Sequence, residues 1–538
     1  MEKSPVSNCR NRACAAQCAI VLALLAAAPR VSAGDWPTYR ADAARSGYTA
    51  EALPAGLSLA WTYRAAHPPM PAWPTRGRLR YDVVCQPVIA DGILFFGSSA
   101  DGKVYALDAT TGQPRWEFFT DGPVRFAPAV WHDRLFVASD DGFLYCLDAV
   151  DGRLLWKHRG GPRPDMLLGN DRMISRWPAR GGPVVANDVV LFAAGIWPSE
   201  GIFVWALDPA DGKVLWCNDS SGDLEMDQPH PTARAKSGIA AQGYLVVDGD
   251  RLLVPTGRAV PAALDRRTGK FLYFQLQSNM SLGGADVVSL GEWFFNGGAL
   301  FDAADESLVG RAGIAAALHP NYLLLSGKTA SLQALDRKKL AVPAQIIGRD
   351  GQPKKVHRLT APLWTMALPE DAMLRQPERK GTEPPVGVTM RSTNWTDLPT
   401  AHQPGALIVA GNWAIIGGQD RLLAADLRTR TLVWSAKVEG AACGLAVANE
   451  RLYASTDRGW IYCFASPKSE PALLHTSCDA AASSCPGGAF ENSQRGHRAK
   501  HGRRWVTGQR DPAESPVGTI EARSKPTPQS SQSSLRDS

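Results

Sequence analysis

The chain has 538 residues, 45% of them apolar and 20% charged, enough to bury a large core, which excludes wholesale disorder. Its net charge of +6 sits at the two ends, +3 in residues 1–33 and +3 in 466–538, so residues 34–465 are neutral. A neutral body has no electrostatic footprint for nucleic acid, and none is expected as a partner of the core.

The first element in chain order is an export signal over residues 1–33. Lys3, Arg10 and Arg12 precede an apolar stretch from Ala13 to Ala28, and Val31-Ser32-Ala33 supplies a small-residue cleavage pattern. Cleavage is expected after Ala33. No other segment approaches the 18 apolar residues of a spanning helix, so the mature chain is expected to lack a transmembrane segment. Cys14 and Cys18 lie inside the signal and no cysteine stands directly after the cleavage site, which argues against a lipid anchor and for a periplasmic or secreted location. Cys85, Cys146, Cys217, Cys443, Cys463, Cys478 and Cys485 then remain, an odd number that reads as no disulfide framework.

Beyond the N-terminal segment 34–82 the chain repeats itself. Val104–Trp116 (VYALDATTGQPRW) recurs as Leu144–Trp156 and Val204–Trp216, with weaker copies at Ala263–Tyr273, Leu300–Gly310, Ala334–Leu340 and Ala424–Trp434. In five copies an aromatic follows an aspartate by eight residues: Asp108/Trp116, Asp148/Trp156, Asp208/Trp216, Asp265/Tyr273 and Asp426/Trp434. Gly112, Gly152, Gly212 and Gly269 lie in the turns between them, where positive φ is needed. Each unit alternates strands with tight turns, four strands in about 40 residues, the pattern of a propeller blade. The residue two before each Asp is small: Ala106, Cys146, Ala206, Ala263, Ala334 and Ala424, with Cys463 at the matching place. Close packing of sheets around an axis accounts for this and makes Cys146 and Cys463 core residues, not redox groups.

The expected fold is all-β: an eight-bladed β-propeller of four-stranded antiparallel blades near 83–118, 126–158, 181–218, 239–275, 283–310, 313–367, 405–436 and 441–465. The count falls to seven if the degenerate fifth and sixth repeats are not both blades. The last blade lacks a fourth strand, whereas residues 57–64, with Trp61, form an orphan strand near the start. Pairing the two closes the ring and removes two exposed sheet edges. Within the propeller 83–465, the proline-rich insertion 351–400 reads as a long loop over one face. Residues 466–538, rich in Ser, Pro, Gln and Arg, read as a disordered basic tail, in which Arg495–Arg504 is either solvated or bound to a polyanion.

The Asp-x-x-[Thr/Asp]-Gly-x-x-x-Trp motif, together with DWPTYRADAARSGYT (Asp35 to Thr49), resembles the pyrroloquinoline-quinone (PQQ)-like repeat proteins. That family includes quinoprotein alcohol dehydrogenase propellers and the BamB lipoproteins of outer-membrane β-barrel assembly. The resemblance covers about 35–465 and implies the ring far more strongly than any chemistry. The dehydrogenases are known for a vicinal Cys-Cys disulfide over the quinone, and this sequence has no adjacent cysteines. Asn394-Trp395 is similar to a cofactor element of that branch only in the dipeptide, so no catalytic or metal-binding position is carried over.

A small-molecule site, if present, is expected in the axial funnel, where loops between blades converge. The candidates are Arg172, Arg176 and Arg180 in one connector, Glu200, then His230, Arg234 and Lys236, and Arg258. Such a set could hold an anion in bidentate fashion, or its members could pair with one another and with solvent. Met166, Met173 and Trp177 in the first connector read as loop-packing residues. The expected role is a non-catalytic exported scaffold, monomeric, with other envelope proteins as partners and no cofactor. The alternative is a divergent quinoprotein oxidoreductase, the only case in which PQQ and calcium would enter.

Overall fold

Alternating apolar residues bounded by Asp- and Gly-containing turns can bury both faces only when each short sheet is flanked by others. The computed structural model describes residues 34–73, 81–228, 233–257, 260–276, 283–313, 315–326, 330–347, 351–370, 373 and 405–467. They all belong to one compact unit, Met1–Ser469. The second unit, Glu470–Ser538, the expected signal 1–33 and Asn394-Trp395 lie outside the described residues.

The described chain is all-β, with two short 3-10 turns and no helix long and apolar enough to cross a membrane among the described residues. The first sheet pairs Val88–Ala90, Ile93–Ser98, Lys103–Asp108 and Pro114–Phe119 in sequence order. Further four-stranded antiparallel arrangements follow in 129–159, 181–218, 246–273, 287–311 and 316–367, the sheet of 181–218, third in the chain, being extended by Gly243–Tyr244 in parallel. The strand Thr431–Ala448 ends the seventh arrangement and begins the eighth. The eighth is completed by Ser58–Arg64, which pairs antiparallel with Trp460–Ala465 and sets Trp61 opposite Cys463.

The expected long loop 351–400 is corrected in its first part. Pro353–Leu359 pairs with Ala341–Ile347 as a hairpin, and Trp364–Ala367 is the fourth strand of the sixth sheet. The prolines misled the reading because Pro353 opens its strand and Pro343 lies in a two-stranded ribbon, where a missing N–H is tolerated.

The small residue two before each Asp has a different cause from the one expected. It lies in the third strand and directly faces the aromatic of the fourth: Ala106/Trp116, Cys146/Trp156, Ala206/Trp216, Ala263/Tyr273, Ala334/Trp364 and Ala424/Trp434. A larger side chain would compete with the ring for one surface. The rings in turn reach the next sheet. Trp61 covers Gly112, where φ is +73° and a Cβ would stand 2.6 Å from the indole, and the contact recurs at Trp116/Gly152, Trp156/Gly212 and Trp216/Gly269. Trp61 Nε1 donates to Ala109 O (3.1 Å), Trp116 Nε1 to Ala149 O (3.2 Å) and Trp216 Nε1 to Arg266 O (3.0 Å). The fifth sheet carries Glu306 at the glycine position, with φ +60°, and there the preceding aromatic is the smaller Tyr273.

Candidate functional site at the axis

The N-terminal segment runs along the inner strands and touches every sheet. Trp36 exchanges both backbone hydrogen bonds with Ile89 of the first sheet, and Pro37 O accepts from Val130 N of the second. Ala43 O, Ala44 O, Ser46 O and Gly47 O accept from Val247, Ser289, Leu318 and Val409 of the fourth to seventh sheets, and Gly34 O accepts from Asn449 in the eighth. The third is reached by a side chain, Arg45, which is fully buried. Its Nη2 donates to Pro183 O (3.0 Å), Nε to Leu245 O (3.0 Å) and Nη1 to Thr38 Oγ1 (2.7 Å) and Tyr39 O (3.0 Å). Burial lowers Arg45 to about 10, yet carbonyl acceptors around the guanidinium satisfy its donors. This end of the axis is filled by the chain itself.

A buried ion network lies where the connectors approach the first strands. Asp140 accepts from Arg125 Nε (2.6 Å) and from Arg180 Nε (2.9 Å) and Nη2 (2.8 Å), while Arg125 Nη1 also bonds Asp82 Oδ2 (2.7 Å). Burial works to raise Asp140, but the two guanidinium groups outweigh it and hold the carboxyl below its usual range. Burial raises Asp82 above that range, with Arg125 opposing. Ala72 N donates to Asp82, Met70 O accepts from Arg125, and Asn170 joins Arg180 to Ala72 O. The network thus fastens the segment after the strand Ser58–Arg64 to the second and third sheets. Tyr81 Oη, Asp82 Oδ1 and Arg180 Nη1 are left without a protein partner among the described residues.

Between the N-terminal segment and the fifth to eighth sheets lies a cavity of about 100 Å³, lined by Tyr39, Arg40, Gln86, Asp286, Leu407 and Cys443 among others. Tyr39 Oη donates to Asp286 Oδ1 (3.0 Å) and its ring stacks on Tyr244 at 3.6 Å. Asp286 is exposed toward the cavity, and the protein around it raises its carboxyl despite Arg40 nearby. Arg40 bonds the carbonyls of Arg45, Leu407 and Ala316.

The candidates read from the sequence are dispersed. Arg180 is in the buried network; Arg176 pairs with Glu200 and, at 3.9 Å, with Asp165; Arg172 Nη2 meets Met70 Sδ at 3.3 Å. Arg234 pairs with Asp227 (3.4 Å) and Lys236 with Asp223 (2.6 Å) around the separate hairpin Glu225–Asp227/Arg234–Lys236. His230 and Arg258 lie outside the described residues. Trp177 is buried as expected, but Met166 and Met173 are exposed on a hairpin, Met166–Gly169 with Arg172–Ser175. Its two-residue turn Asn170-Asp171 has φ of +54° and +60°, a hairpin signal overlooked in the sequence. Tyr81, Asp82, Arg125 and Asp140 were also missed. The available signal was an arginine three residues before the proline at a first strand, Arg125/Pro128 and Arg180/Pro183, charge where the chain turns inward.

A family described as outer membrane protein assembly factor BamB matches residues 58–216. No curated protein matches the sequence. Among solved structures, quinohemoprotein alcohol dehydrogenase ADHIIG from Pseudomonas putida HK5 is similar at 12% identity and a TM-score of 0.51, covering 81% of this chain and 80% of that one. The quinohemoprotein alcohol dehydrogenase of Comamonas testosteroni is similar at 16% identity and 0.48, covering 80% of each. BamB from Moraxella catarrhalis is similar at 13% identity and 0.34, covering 76% of this chain and 99% of that one. In its recurring Asp-to-Trp unit, its antiparallel sheets and the match over 58–216, the chain is similar to the PQQ-like repeat propeller proteins.

Proposed function

We propose that the chain is a non-catalytic, exported scaffold: an eight-bladed ring, closed by Ser58–Arg64 on Trp460–Ala465, whose loops bind other envelope proteins. The observation that carries the reading is the occupied axis. The chain's own N-terminal segment occupies the inner side of the sheets, and the cavity beside it, about 100 Å³, is below the ~300–1,000 Å³ of pockets that take drug-sized ligands. PQQ, which the fold relatives imply, is a planar tricarboxylate. The lining offers it the carboxylate of Asp286, and its one guanidinium, Arg40, is engaged by three carbonyls. These residues do not fit the group. Arg176 and Arg180 are likewise engaged by carboxylates of the same chain.

A rigid disc with exposed connector hairpins suits binding of a protein partner, and a periplasmic monomer is the form expected. The competing reading, a divergent quinoprotein oxidoreductase, makes a separate prediction. The purified protein is mixed with PQQ and Ca²⁺ and followed for a visible absorbance shift and for dye reduction with alcohols or sugars. No shift and no turnover are expected; turnover would overturn the scaffold reading. Crosslinking in the native envelope should in turn capture protein neighbours.

A further inference from the structure

Six exposed cations crowd one stretch of the sixth blade: Arg337, Lys338 and Lys339 on a 3-10 turn, and Lys354, Lys355 and Arg358 on the strand Pro353–Leu359. Some cations elsewhere have carboxylate partners, as in Lys103–Glu117 (3.1 Å), Arg163–Asp165 (2.9 Å) and Arg267–Asp250 (2.8 Å), and others, such as Lys157, Lys213 and Lys437, stand singly and exposed; what marks the six is that they are grouped. Among the described residues none of the six is in an ion pair. Asp336 uses its carboxylate to cap the 3-10 turn at Lys338 N. Asp305, bonded by Ser307, feels Lys354 only at longer range. On a body whose residues 34–465 are neutral, this is a concentrated positive field.

The hairpin that carries half of these charges is seated at its base. Ala341 pairs with Leu359 and Ile347 with Pro353. Near the base, Leu359 packs over Gly310 of the fifth blade, and His357 sits 5.1 Å from the Trp293 ring and 3.4 Å from Asp302. At the other end of the paired strands, Ile347 is 69% exposed and Ile346 36% among the described residues.

We propose that this hairpin docks on an anionic lipid surface, its two isoleucines entering the headgroup region while Lys354 and Lys355 beside them, and the cations nearer the base, meet phosphates. A lipid surface is favoured over an acidic protein because Ile346 and Ile347 are exposed on the strand beside Lys354 and Lys355, and four of the six cations are lysines, point charges without the bidentate geometry that arginine brings to carboxylates. The inference does not depend on the scaffold reading.

The test is flotation of the full chain with vesicles of equal parts phosphatidylglycerol and phosphatidylcholine, against vesicles of phosphatidylcholine alone. Binding is expected only to the anionic vesicles and is expected to vanish at about 0.5 M salt, where charges are screened within ~4 Å. Changing Lys338, Lys339, Lys354 and Lys355 together to Gln should weaken binding several hundred-fold, about five-fold per charge. Ile346→Ser with Ile347→Ser should weaken it at low and moderate salt alike. All these side chains are exposed, so the unfolding midpoint should not move. Vesicle binding should also slow amide exchange in 341–359 of the unmodified protein. Absence of binding, or undiminished binding in the four-lysine variant, which would locate the contact in the basic tail, overturns the proposal; so does capture by an acidic protein without capture by vesicles. Protein crosslinks that persist in the four-lysine variant leave the scaffold reading intact, so the two can fail separately.

Discussion

Gly112→Ala, compared with Gly249→Ala, separates backbone strain from the contact that joins Trp61 to the first sheet. Both glycines have positive φ, +73° and +58°, so alanine at either position costs about 1–2 kcal/mol of left-handed strain. At Gly249 a Cβ would meet nothing within 4 Å; at Gly112 it would stand 2.6 Å from Trp61 Cε3. The indole must move, which sacrifices the 3.1 Å bond from Nε1 to Ala109 O, about 1 kcal/mol, and disturbs its packing against Tyr453, another 1 kcal/mol or so. Gly112→Ala should therefore lose about 2 kcal/mol more than Gly249→Ala in urea unfolding followed by tryptophan emission and circular dichroism. In a Trp61→Ala background most of that extra loss should disappear, because the clashing partner is gone. Equal losses for the two alanines, or full additivity with Trp61→Ala, would show that the ring does not bear on the turn and would remove the physical basis assigned to the repeat.

Two further outcomes follow from buried charge. Glu306, 3% exposed, has its carboxyl pushed up to about 8 by burial and then by Asp305, against an ordinary value of 4.5. The folded chain therefore keeps a proton that the unfolded chain releases, so stability is full below about 4.5 and declines as pH rises toward 8. Glu306→Gln should flatten that decline; an unchanged pH profile of the urea midpoint would count against it. Asp140→Asn removes the charge that two buried guanidinium groups share, and breaking a buried pair costs about 3–5 kcal/mol. A loss under about 1 kcal/mol, read from the same unfolding curves, would mean that Arg125 and Arg180 have another source of compensation.

What the sequence by itself determined was local. The eight-residue step from Asp108 to Trp116 and its copies, the turn glycines and the orphan strand around Trp61 are set by short-range pleat and turn geometry, so they could be read without coordinates. Glu306 and Tyr273 were legible as a weak copy, although not as a matched exchange of glycine for a longer residue and tryptophan for a smaller ring. The axis was decided only in three dimensions. Arg45 bonds backbone carbonyls at positions as remote as Pro183 and Leu245, and a carbonyl carries no sequence signature. The same holds for charge: Arg176 and Arg180 looked like ligand-binding arginines until folding placed Glu200 and Asp140 beside them. Lys338 and Lys354 are in no ion pair among the described residues, and whether a cation finds a partner depends on which loops meet, which is fixed by the packing of whole sheets.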